Sequence, residues 1–132
     1  QVLKNIIRSN RKKLYAYSLI ISSLLLMIYR FLIEYITNDD SYLLSLIPFV
    51  ILIAGIISAS AYIPFYNIFF MADKPLWQSI FISLIVISNI FLNILLIPIF
   101  SINGAAFATA ISFLISIFFL KKLSKKILDI KI

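Results

Sequence analysis

Residues 89–116 read NIFLNILLIPIFSINGAAFATAISFLIS. An apolar run ends at Ile97-Pro98, a short turn ends at Gly104, and a second apolar run opens with small residues. Proline interrupts a helix, and small side chains let two helix backbones approach closely. The stretch predicts a helix hairpin made to sit in lipid, with its tight end at one membrane face.

The composition around it points the same way. The 132 residues form one domain by length, with 63% hydrophobic and 13% charged residues. A soluble helical bundle needs a polar face on every helix. Here the runs 19–28 and 80–87 are broken only by Ser. The expected fold class is an all-α integral membrane bundle.

The net charge of +7 does not indicate nucleic acid, because the cations cluster within residues 4–13 and 121–131, flanking apolar segments. Cationic flanks orient membrane spans. There is no Cys and no His, which removes thiol catalysis, His-dependent triads and the commonest metal ligands. The two glycines are isolated, so no phosphate-cradling loop is present. Asp39 and Asp40 lie together without a third ligand nearby in sequence. The expectation is a protein that is not an enzyme, with no catalytic residue, no metal and no cofactor. The chain begins with Gln1, and no small-residue cleavage site follows its first apolar run. It therefore reads as part of a longer polypeptide without a signal peptide.

Segment by segment, 1–13 is basic and forms either an interfacial helix or a loop. Four spans follow, at about 14–33, 43–70, 78–100 and 104–120, each judged against the roughly 20 apolar residues that cross hydrocarbon. A basic tail occupies 121–132. Span two is longer than a bilayer requires, and Pro48 and Pro64 are expected to kink it. Its small residues Ala54/Ser58 and Gly55/Ala59 recur at four-residue spacing, the pattern of close helix packing. Ser79, Ser83, Asn89 and Asn93 are expected to share one face of span three. Gly104, Ala105, Thr109, Ser112 and Ser116 are expected to give span four a packing seam. With both ends cytoplasmic, Lys74 and the terminal cations all lie inside, and Arg30 alone lies outside beside Glu34, Asp39 and Asp40.

Two groups are candidates for a substrate pathway. Arg30 and Glu34, four residues apart, either pair on a helix face toward an aqueous cavity or mark an interface to which Arg30 snorkels. Asn89 and Asn93 either line the pathway or hydrogen-bond between helices. Tyr62, Tyr66 and Asn67 either contact a lipid headgroup or sugar, or belong to the aromatic belt.

In residues 89–109 the pattern is more specific: Asn89, Leu92-Asn93, Leu96-Ile97-Pro98, then Gly104-Ala105-Ala106-Phe107-Ala108-Thr109. It resembles the C-terminal half of the polysaccharide and O-antigen flippases. These belong to the superfamily that also holds lipid II flippases and multidrug and toxic compound extrusion transporters. Ser101 stands where that pattern has its first Gly. The resemblance implies a two-lobe transporter of which this chain is four late helices. Such a transporter moves a lipid-linked oligosaccharide across the inner or plasma membrane by alternating access. Its partners would be the bilayer, the remaining helices and the lipid-linked sugar. The alternatives are a cation-coupled multidrug exporter of the same superfamily and a non-transporting membrane scaffold subunit.

Overall fold

A computed structural model describes residues 2–36 and 44–129. The polar turn read at 37–41, Asp39 and Asp40 included, lies outside the described residues, as does the side chain of Glu34. Among the described residues the chain is helical and contains no strand. Helix α1 spans Val2–Ile36, α2 Leu46–Ser60, α3 Ile68–Met71 and α4 Pro75–Leu128, with a 3-10 turn at Ile63–Phe65 between α2 and α3. Two helices are long and apolar enough to cross a membrane, Asn10–Ile33 within α1 and the whole of α4.

A straight helix of 54 residues would be about 80 Å long. Instead α4 doubles back at Ser101, whose φ of 52° and ψ of −127° are the one non-helical conformation inside it. This is the backbone geometry of the first central position in a II′ turn, where glycine is favoured. The arms 75–100 and 102–128 then run antiparallel, with the Asn89 amide donating to the Ser112 hydroxyl at 3.1 Å. They approach tightly near the tip at Gly104, where an added Cβ would lie 2.1 Å from the Leu96 carbonyl oxygen. Only glycine permits that contact. The reversal expected across Ser101–Gly104 is thus compressed into one residue, with helix on both sides.

Helix α1 is continuous from Val2 through the basic segment into the apolar one, so 2–13 is neither a separate helix nor a loop. It packs antiparallel to α2: the Tyr15 hydroxyl reaches the Ser58 carbonyl, Ser60 reaches Ser18, and Tyr29 meets Ser45 while stacking on Phe49. Helix α2 runs parallel to the second arm of α4. Gly55 marks their crossing, since a Cβ there would come within 2.7 Å of the Ala110 Cα.

Segment 43–70 is not one helix. Pro48 lies in the first turn of α2, where its missing N–H costs nothing, and introduces no kink. Pro64 does interrupt the chain, which passes through the 3-10 turn into the four-residue α3. With 15 residues, α2 is only about 22 Å long. The core gathers at this broken end, where Ala59, Ala61, Tyr62, Phe69 and Phe81 pack against Ile117 and Leu120.

Two substitutions test the hairpin. Gly104→Ala is expected to cost about 1–3 kcal/mol through overpacking. Ser101→Gly is expected to gain about 1 kcal/mol by relieving the positive φ. Thermal unfolding of the purified chain followed by helical circular dichroism measures both, and an unchanged Gly104→Ala variant would show that the arms do not close on this residue.

Candidate functional site

The residues singled out from sequence fall in three places. At the hairpin, Asn93 donates to both the backbone oxygen and the side-chain oxygen of Asn89, each at 2.9 Å. Asn89 in turn bonds Ser112, which is buried and itself donates to the Ala108 carbonyl at 2.7 Å. The two asparagines are therefore engaged with each other and with the opposite arm. Ser79 and Ser83, by contrast, are exposed, and Ser79 donates back to the Pro75 carbonyl.

At the same end of the helices as the Ser101 tip, Arg30 is exposed, near the end of α1. Beside its neighbour Tyr29 lies an apolar cavity of about 350 Å³ lined by Tyr29, Ser45, Phe49, Ile102, Ala105 and Thr109, at the lower end of the range for small-molecule pockets. Ala105 and Thr109 thus border this cavity. Gly55 and Ala59 are buried in the α2 contacts, and Gly104 and Ser112 between the arms of α4.

The third place is the basic end. Here the break after Ser60 frees backbone carbonyls, and side chains take them up. The Tyr62 N–H turns to the Ala59 carbonyl at 2.8 Å, leaving that of Ser58 to the Tyr15 hydroxyl. The Tyr66 carbonyl accepts from the buried Gln78 amide at 2.9 Å. The Tyr66 hydroxyl meets Ser116, and its ring packs edge-on against Phe81. Lys74 donates to the Ile127 carbonyl at 2.9 Å, near the C-terminal end of α4 where a cation is favoured.

Tyr62 is only 4% exposed, so it is not a belt residue facing outward. Its hydroxyl accepts from the Arg11 guanidinium, whose carbon lies 4.3 Å from the ring centroid. The Lys121 ammonium lies 4.6 Å from the same centroid. Three separate segments, α1, the broken stretch and the second arm of α4, therefore meet on one aromatic ring. Sequence reading placed Tyr62 among possible headgroup contacts but did not connect it to Arg11 or Lys121, which are remote in sequence. Gln78 carried no signal at all, being one polar residue at the start of an apolar run.

Among the described residues no group of three or more His, Cys, Asp or Glu could hold a metal ion. Comparison with protein-family models, with curated proteins and with solved structures returns no match.

If the Asn89–Ser112 bond joins the arms, Asn89→Ala and Ser112→Ala should each destabilise the chain. Their double-mutant cycle should show a coupling of about 0.6 kcal/mol, the average for such bonds between membrane helices. Strictly additive losses in thermal unfolding would remove the bond from the account.

Proposed function

We propose that this chain is the C-terminal part of a polysaccharide-type flippase. It contributes four membrane crossings to a two-lobe transporter that moves a lipid-linked oligosaccharide outward by alternating access. The crossings are the apolar part of α1, α2 with its continuation through α3, and the two arms of α4. The flippase class rests on the ordered pattern from Asn89 to Thr109.

The observation that carries the membrane part is exposure. A core helix of a soluble protein would be mostly covered, whereas only 6% of the most apolar window of either long helix is buried within the chain. Ile20, Met27, Ile94, Ile99 and Leu114 stand among many large apolar side chains left open. Lipid and neighbouring helices supply the missing cover. The cations support the orientation. Contacts among Arg11, Tyr62 and Lys121, and between Lys74 and Ile127, gather the basic residues at one end. That end is assigned to the cytoplasm.

The physical task explains the division of labour. A sugar-bearing lipid needs a polar path for its headgroup while its tail remains in hydrocarbon. The 350 Å³ cavity is apolar, so this chain supplies one wall of the path and other helices the rest. Arg30 is the cation placed to meet a diphosphate. One observation favours the scaffold reading instead: Asn89 and Asn93 are tied to each other and to Ser112.

The natural absence of Cys makes topology directly testable. Single cysteines replacing Lys74 and Lys125 should react with impermeant thiol reagents only from the cytoplasmic side, and one replacing Ser101 only from the outside. Reaction of all three from one side would end the four-crossing reading. In cells carrying the complete transporter, Arg30→Ala should lower surface polysaccharide several-fold; unchanged polysaccharide would exclude a substrate role for Arg30.

A further inference from the structure

We propose that Arg11, Tyr62 and Lys121 form a binding site for the phosphate group of an anionic phospholipid in the leaflet at the basic end. The site rests on the membrane placement above but not on transport.

The argument begins with charge. Arg11 and Lys121 come from helices far apart in sequence and converge on one buried ring, at 4.3 and 4.6 Å from its centroid. Their separation therefore cannot exceed the sum of those distances. Like charges within that range repel each other, and an anion bound to both offsets the repulsion. Among the described residues, neither cation pairs with a carboxylate. The chain has five acidic residues, and Asp73 and Asp129 are the two beside the α3–α4 turn and the end of α4. The ring quadrupole offsets part of the repulsion but carries no net charge.

The donors suit a phosphate. One Arg11 nitrogen is occupied by the Tyr62 hydroxyl, which leaves most of a guanidinium fork whose geometry matches phosphate oxygens. Lys121 is exposed and Arg11 half-buried, so neither cation is closed off from a ligand. Contact with the buried Tyr62 ring fixes both cations before the ligand binds.

The surroundings favour a lipid over a soluble phosphate. Phe107, Leu114 and Phe118 form an exposed apolar stripe on the second arm of α4, leading directly to Lys121 and Lys122. Acyl chains can lie along that stripe while the headgroup reaches the cations. The exposed Lys12, Lys13, Lys125 and Lys126 add the general attraction of a cationic surface for an anionic leaflet. Basic pockets between membrane helices are a recurrent setting for anionic headgroups.

Native mass spectrometry of the detergent-solubilised full chain, titrated with phosphatidylglycerol or phosphatidylcholine, tests the site. The native protein should prefer phosphatidylglycerol by about tenfold or more, with each clamp cation contributing about fivefold. Arg11→Gln with Lys121→Gln should abolish the preference. The charge-matched control, Lys12→Gln with Lys125→Gln, should keep most of it, and Arg11→Lys should fall between. Equal losses in the clamp and control variants would reduce the effect to general surface charge and overturn the site. Displacement of the lipid by millimolar glycerol phosphate would make a soluble phosphate the ligand and overturn the lipid assignment. Circular dichroism and melting with and without phosphatidylglycerol guard against misfolding: the lipid should raise the midpoint of the native chain and not of the clamp variant. A chain that stays monomeric and helical without detergent would instead sink the membrane placement, whatever its lipid affinity.

Discussion

A helix broken among apolar residues must hand its freed carbonyls to other donors, and this requirement organises the basic end of the protein. Without water, an unpaired backbone group costs several kcal/mol. Pro64 cannot continue α2, so the chain tightens into a 3-10 turn after Ala61. Tyr15 from α1 and Gln78 from α4 then supply the donors that the helix no longer provides. Those two bonds tie α1 and α4 to the break that ends α2. The aromatic core of Phe69, Phe81 and Tyr62 closes around the same place.

The opposite end solves a different problem with less material. There the chain reverses through Ser101 alone, and the arms close on the bare Cα of Gly104. Little hydrophobic force drives helices together in lipid, so contact quality decides their association. Gly104 against Leu96 and Gly55 against Ala110 are such contacts. The hydroxyl and amide groups of Ser112, Asn89 and Asn93 add direction to the packing of the arms. These polar residues thus fix helix geometry near the hairpin, and the Arg11 and Lys121 cations lie at the basic end.

Features carried by local chemistry were legible from the sequence. Pro98, Ser101 and Gly104 mark the reversal, because proline, the turn and glycine each act within a few residues. Gly55 could be read as a close-approach site from its spacing to Ala59. Others depended on partners remote in sequence. Pro48 and Pro64 are chemically identical, yet one begins a helix and the other breaks it; only their position relative to the helix start decides. The burial of Tyr62 required knowing that Arg11 and Lys121 would reach it. The stripe from Ser79 to Asn93 is engaged only near the hairpin, where Asn89 reaches Ser112 and Asn93 bonds Asn89, while Ser79 and Ser83 lie exposed nearer the basic end. Continuity of α1 through its basic stretch was open because lysine and arginine are good helix formers that carry no apolar periodicity.

The one-residue reversal at Ser101 also determines how the protein meets proteases. Cleavage needs a run of chain that can be drawn out into an extended form within an enzyme's cleft. Here hydrogen-bonded helix resumes on both sides of Ser101, and Gly104 is locked against Leu96. Opening such a tip means unwinding both arms at once. The two arms of α4 should therefore survive digestion from that face as a single piece, and they should do so even where their neighbours have been cut away.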